Sequence, residues 1–294
     1  MPANAFRRTI SGARGQGPSP HRRYALDHAP IASHARHFAL HSPTMTTDYQ
    51  IIGNYISPYV RKVLVCMEMK GLVYTIDPIA PFVGNDRFSQ LSPLRRIPVL
   101  LHGERVINDS TVICHYLEEL HPQVPLYPAD IGDRAQARWL EEYADSWLGD
   151  VVVWGMFYQL GVKRFLFGES PDDTVVARAR DEQLPATLDY LETLLPSEGF
   201  LFGAVGMADI SIAAFFRNAA FVRYQVDARR WPKTASFLTR MFALPAFRTL
   251  AVFEDKTLRT PLPAQREVLR ELGAPLSEET LASETARRSL VRRD

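Results

Sequence analysis

Three prolines fall within the eight residues His121-Pro-Gln-Val-Pro-Leu-Tyr-Pro128, and they split the chain into two stretches of different hydrophobic patterning. Proline has no backbone N–H and biases the residue before it away from helix, so no regular element runs through such a stretch. Upstream of it, short apolar runs alternate with one-faced helical patterns. Tyr49 to Gly53 reads as a strand, and Pro58 to Lys70 places Val60, Val63, Leu64 and Met67 on one helical face, with Gly71 as the stop. Leu72 to Ile76 predicts a second strand and Asn85 to Leu91 a short helix. Pro98 to Leu101 and Arg105 to Ile107 predict a hairpin turning at His102-Gly103-Glu104. A helix from Ser110 to about His121 carries Ile113, Tyr116, Leu117 and Leu120 inward. This order, βαβ then ββα, predicts an α/β unit with helices on a small mixed sheet. Downstream, Arg134–Phe167, Asp173–Leu195, Ala208–Arg223 and Trp231–Phe242 show helical spacing and predict an all-α bundle.

The ends read differently. Residues 1–44 hold six arginines, five histidines and one acid, with no apolar period, and are expected to be a disordered basic leader or a mis-assigned start ahead of Met45. The remaining divisions are 48–122 for the α/β domain, 123–132 for the linker, 133–256 for the all-α domain and 257–294 for a polar tail. One weak helix, Ala264 to Leu272, is expected in that tail, and the rest is expected to be loosely ordered.

Composition narrows the function classes. Hydrophobic residues at 46% against 23% charged imply a sizeable core. Residues 45–258 carry 21 basic and 26 acidic side chains, and no basic cluster interleaved with aromatics, which argues against nucleic acid as a partner. The longest apolar run, Val151 to Tyr158, is broken by Gly155 and is too short to cross a bilayer. The two cysteines, Cys66 and Cys114, lie in apolar segments without a metal-binding or dithiol spacing. No metal is expected, and a reducing, cytoplasmic compartment is.

The segment that points to chemistry is Ser57-Pro58-Tyr59-Val60. Ser57 is a favourable N-cap and Pro58 a favourable first helical residue, so the pair could simply start a helix. The same position presents free N–H groups, partial positive charge and a hydroxyl to any anion in front of it, and a thiolate suits that place.

Ser-Pro-Tyr-Val resembles the Cys-Pro-Tyr-Cys turn of glutaredoxins with both cysteines replaced. Tyr55-Ile-Ser-Pro-Tyr-Val-Arg-Lys-Val, followed by Met69-Lys-Gly71, resembles the opening of serine-type cytosolic glutathione transferases. Arg95-Arg-Ile-Pro-Val-Leu100 resembles that family's proline turn before its third strand. Val106-Ile-Asn-Asp-Ser-Thr-Val-Ile-Cys-His-Tyr-Leu-Glu118 resembles its γ-glutamyl-binding segment, and Gly206-Met-Ala-Asp-Ile210 its helix-capping box. The likeness covers about residues 48–255.

The resemblance implies a thioredoxin-like α/β N-terminal domain, an all-α helical-bundle C-terminal domain, glutathione as co-substrate and a homodimer. It implies a cis Ile97-Pro98 bond, with the Ile97 backbone pairing to the cysteinyl part of glutathione. It further implies that Ser110 takes the γ-glutamyl carboxylate, Asp109 the ammonium group and Arg96 the glycyl carboxylate. Ser57 would be the catalytic residue, donating to the thiolate. A thiol of pKa about 8.5 is about 3% ionised at pH 7, and lowering it two units takes about 2.7 kcal/mol. A hydrogen bond to a charged acceptor contributes about 1.5–3 kcal/mol and a helix terminus about 0.3–1, which together reach that size.

A small hydrophobic electrophile is expected between the domains, with Tyr143, Trp147, Trp154, Phe157 and Tyr158 as candidate lining or core residues. Ether cleavage or isomerisation with glutathione, or a non-catalytic ligand-carrying role, stay open. One departure stands out: Gly206 occupies the cap where the family has Ser or Thr.

Overall fold

The structure, a computed structural model, describes residues 48–287. Strand β1 (Tyr49–Ile52) runs into helix α1 (Pro58–Met69), which Gly71 ends in a left-handed conformation at φ 66°. Leu72 still bonds back to the Met67 carbonyl, so the second strand, β2 (Thr75–Asp77), begins later than the apolar run suggests. Helix α2 (Asp86–Leu91), strands β3 (Val99–His102) and β4 (Arg105–Asn108), and helix α3 (Ser110–Leu120) complete the α/β part. The sheet order is β2-β1-β3-β4; β1 pairs parallel with β2 and antiparallel with β3, the mixed sheet that the pattern predicts.

The second part is helical. Helix α4 (Ile131–Tyr143) continues unbroken through a wide π-helical stretch, Ala144–Val162, into α5 (Lys163–Phe167). Then come α6 (Asp173–Arg178), α7 (Leu184–Leu194), α8 (Met207–Phe221), α9 (Pro232–Ala243), α10 (Pro245–Arg259) and α11 (Gln265–Glu271). Together the two parts form a thioredoxin-like domain followed by a helical domain.

Helix α1 lies between the sheet and the helical domain and has no solvent face. Val60, Val63, Leu64, Cys66 and Met67 are fully buried, and so are Arg61 and Lys62. Cys66 and Cys114 are both free and buried, as expected of small apolar residues.

The segment after α11 is not the loose tail that its polarity suggests. Ile76 donates to the Pro275 carbonyl at 2.8 Å and accepts from Ser277 at 3.0 Å, so the segment lies along the free edge of β2. The buried Asp77 carboxylate accepts from the Leu281 amide (2.7 Å), the Thr280 hydroxyl (2.8 Å) and Arg266 (3.1 Å). A strand edge exposes unpaired backbone groups, and a buried carboxylate needs donors; this segment satisfies both. The expectations for residues 1–44 and for 288–294 lie outside the described residues.

Candidate active site at the N-terminus of α1

Ser57 is the N-cap of α1, in extended backbone at φ −77°, ψ 128°, with Pro58 behind it. Its Oγ accepts from the Val60 N–H at 3.4 Å. Capping uses an oxygen lone pair and leaves the hydroxyl proton free to donate, which is what a neighbouring thiolate requires. The side chain is half-buried. Two nearby tyrosines pack their rings against the helical domain. Tyr55 is 1% exposed with its ring 5.1 Å from Phe253, and burial raises its phenol far above the ordinary range. Tyr59 donates to the Asp145 carbonyl at 3.0 Å and packs edge-on against Phe215.

The Ile97-Pro98 bond is cis, as the resemblance implied, and ladder pairing resumes at Val99, leaving the half-buried Ile97 just outside the sheet. The two preceding arginines do opposite things. Arg96 is exposed, its backbone held by reciprocal bonds with the Ser92 hydroxyl at 2.8 and 2.9 Å. Arg95 is buried, and its guanidinium bonds the Ser89 hydroxyl and the carbonyls of Pro81 (3.2 Å) and Gly84 (2.8 Å).

Asp109 caps α3 from a left-handed backbone at φ 79°. Such a conformation costs on the order of 1–3 kcal/mol in a non-glycine residue, and such outliers cluster at ligand sites. Its carboxylate accepts from the Thr111 N–H (2.9 Å) and the Val112 N–H (3.3 Å), so the cap does not use the Ser110 N–H. Ser110 itself is 3% exposed at the first position of α3. Ser57, Ile97, Asp109 and Ser110 therefore all sit at helix starts or strand approaches, where backbone donors face outward.

Sequence reasoning missed a charged network beneath this surface. Lys62 Nζ donates to the Thr111 hydroxyl (2.8 Å) and to Asp145 (2.5 Å), pairs with Glu141 (2.7 Å), and Thr111 in turn donates to Asp145 (2.7 Å). The first turn of α3 is thus tied to α1 and to the long helix that α4 begins. Burial alone would lower the Lys62 ammonium, but the Asp145 and Glu141 carboxylates outweigh it and hold it above its usual value. Burial raises Asp145, whose Oδ1 has no hydrogen-bond partner. The only trace of it in sequence was the adjacent Arg61-Lys62 pair opposite the apolar face of α1.

The expected aromatics separate by direction. Phe157 packs inward near Phe221, while Tyr143 stacks with Tyr190 and Trp147 donates to Thr187. Trp154 and Tyr158 are half-buried with rings 5.3 Å apart, and Tyr158 approaches Phe82 of the α/β domain. Surface depressions of about 250 and 290 Å³ lie elsewhere, beside Glu68 and Pro245 and beside Arg164 and Pro171, so the candidate site is defined by its donors. Among the described residues no cluster of side chains suits a metal ion, and no helix is long and apolar enough to cross a membrane.

Comparison with known proteins bears directly on this geometry. Residues 51–125 match the family description "Glutathione S-transferase, N-terminal domain" and residues 173–270 match "Glutathione S-transferase, C-terminal domain". A zeta-class glutathione S-transferase of Euphorbia esula is 30% identical over 193 residues, covering 64% of this chain and 82% of that protein. Among solved structures, a glutathione S-transferase from Rhodospirillum rubrum F11 superposes with TM-score 0.64 at 25% identity, over 69% of this chain and 91% of that one. A β-etherase from Sphingobium sp. strain SYK-6 does so at 0.60 and 23% identity, over 70% and 99%, a likeness of fold.

Proposed function

This chain belongs to the glutathione S-transferase family, and on that premise we propose that it is a serine-type transferase that activates the glutathione thiol for attack on a small hydrophobic electrophile. The observation that carries the reading is Ser57, an N-cap whose hydroxyl proton is free at the start of a helix. Ser57 and the α1 terminus stabilise the thiolate by donation and partial charge, without Ser57 becoming a nucleophile. The Ile97 backbone, next to the strand, supplies main-chain pairing for an extended tripeptide. The α3 start supplies the Ser110 hydroxyl and N–H for the γ-glutamyl carboxylate, Asp109 receives the ammonium, and the exposed Arg96 meets the glycyl carboxylate. In the reaction a C–S bond forms, the bond to the leaving group breaks with its electron pair, and the thiol proton goes to solvent.

The exposed apolar residues Val106, Val112 and Trp139, on β4, α3 and α4, support a homodimer, which sedimentation checks. The family carries the cytoplasmic reading.

The test is a glutathione-dependent screen of halonitroarenes, epoxides, aryl ethers and peroxides on the full chain, with glutathione binding measured alongside. Conjugation of a halonitroarene or epoxide is expected. Ether cleavage alone would reassign the chain to a lyase, and binding with an unshifted thiol pKa would leave a ligand carrier.

A further inference from the structure

The turn between β2 and α2 is fastened from two sides. From within the α/β domain, Arg95 holds the Pro81 and Gly84 carbonyls. From the far end of the chain, Ser283 donates to the Val83 carbonyl and Arg287 to the Phe82 carbonyl, each at 2.6 Å, while Asn85 donates to Leu281 at 2.8 Å. Leu281 is 8% exposed and packs with Ile52, Ile79, Phe88 and Val99, so the attachment has an apolar anchor as well as hydrogen bonds. These C-terminal residues lie beyond the family match, which ends at residue 270.

The fastened turn carries Phe82. Its ring lies 6.2 Å from Tyr158 and 5.6 Å, edge-on, from Phe167, both in the helical domain. Because β1 and β2 run parallel, the turns that follow them, one bearing Ser57 and the other Phe82, leave the same end of the sheet. The long helix meets both: Asp145 takes the Tyr59 hydroxyl beside Ser57, and Tyr158 further along meets Phe82. The turn that carries Phe82 is thus fastened by the C-terminal segment, leaves the same end of the sheet as the turn that carries Ser57, and meets the same long helix.

We propose that residues 274–287 determine electrophile specificity: they clamp the β2–α2 turn, hold Phe82 against Tyr158 and Phe167 as a wall, and so exclude electrophiles with wide ring systems. This rests on the transferase reading above. Rings already in contact leave no room for a fused aromatic system, and a fixed backbone keeps them there. Phe82 is the specificity residue, and the C-terminal segment positions it.

The test compares full-length wild type with Ser283→Pro, which removes one clamp donor, and Phe82→Ala, which removes the wall and leaves the clamp. Substrates are benzyl chloride and chloromethylnaphthalene with glutathione. In both variants the kcat/KM ratio of naphthyl to benzyl substrate is expected to rise about tenfold, the size a reshaped apolar pocket commands, with KM for glutathione within about twofold. Equal change for both halides would overturn the proposal, since general loosening lowers both. Hydrogen exchange reads the clamp without catalysis: Ser283→Pro should speed exchange across residues 80–86, and unchanged exchange overturns the clamp. If wild type conjugates a halonitroarene or epoxide but neither halide, the specificity claim alone falls; if it conjugates none of them, the transferase reading falls too, while faster exchange would still support the clamp.

Discussion

Lys62 Nζ lies 2.7 Å from Glu141 Oε1 with both side chains withdrawn from water, an ion pair that joins the α/β domain to the first helix of the helical domain. Burial would raise the Glu141 carboxyl, but His115 and the Lys62 charge bring it down to about 2 from an ordinary 4.5. A carboxylate depressed on folding stabilises the protein above its unfolded pKa, and that contribution is lost as pH falls from about 4.5 toward 2. The size is on the order of 3 kcal/mol. Asp145, raised by burial and in part by the Glu141 charge, titrates with the opposite sign, and Glu141→Gln removes that part of its shift as well. Urea unfolding should show Glu141→Gln less stable by roughly that amount at pH 7, with the gap roughly halved by pH 3 and closing toward pH 2. A gap independent of pH would mean that packing, not charge, is what the substitution removes.

Ser57→Ala removes the free donor at the start of α1. Bound glutathione should show its thiol pKa raised by about 1–2 units in a thiolate-absorbance titration, the equivalent of one hydrogen bond to a charged acceptor. Affinity should stay within several-fold, because the tripeptide's other groups are held elsewhere. The alkaline shift of the kcat/KM profile should follow the same titration. With Tyr59 committed to the Asp145 carbonyl, an unchanged pKa would assign activation to the α1 backbone amides or to the Tyr55 hydroxyl, which is buried and has no hydrogen-bond partner.

What was legible in sequence follows physical range. Ser57, Pro58 and Gly71 bound α1 through local capping chemistry, and local chemistry is read from neighbours in sequence. The βαβ–ββα order followed from periodicity. Arg61 and Lys62 went unread because periodicity marks the apolar face of a helix and cannot say that the polar face is covered too. Their partners Glu254, Asn218, Glu141 and Asp145 lie 79 or more residues away. The C-terminal clamp was hidden for the same reason: Ser283 and Arg287 give backbone N–H groups to Val83 and Phe82, and backbone pairing leaves little trace in side-chain composition. Arg95 and Arg96 are alike in sequence and differ only in which way the turn faces.

Gly206 looks like a defect in a capping box and is a requirement of packing. Asp209 supplies half of the box by accepting from the Gly206 N–H at 3.0 Å. A Cβ on residue 206 would come within 2.8 Å of the Leu126 carbonyl oxygen, where the Met207 N–H bonds the linker at 2.8 Å. Backbone cannot swing aside as a side-chain tip can. Gly206→Ser should gain only a few tenths of a kcal/mol from the added cap and lose about 1–3 to overpacking. The melting temperature should fall by several degrees; a rise would show that the linker yields.

Glu254 sits between two arginines, bonding Arg61 through Oε1 and Arg217 through Oε2 at 2.7 Å. Arg61 is fully buried, and it also donates to the Ala214 carbonyl (2.7 Å) and Asn218 Oδ1 (2.6 Å). Removing the carboxylate leaves two guanidinium groups facing each other, one with no route to water. Glu254→Gln should cost about 3–5 kcal/mol, as expected for an uncompensated buried charge. Arg217→Ala should cost less, about 1 kcal/mol, because Arg217 is partly exposed and Glu254 keeps Arg61. The effect should also reach the site, because Asn218 donates to the Ile56 carbonyl at 3.0 Å, one residue before Ser57. Glu254→Gln assayed below its unfolding transition should lose glutathione-dependent turnover, whereas Arg217→Ala should keep most of it. Equal losses of stability in the two variants would show that the carboxylate's partner inside the core is not the one that matters.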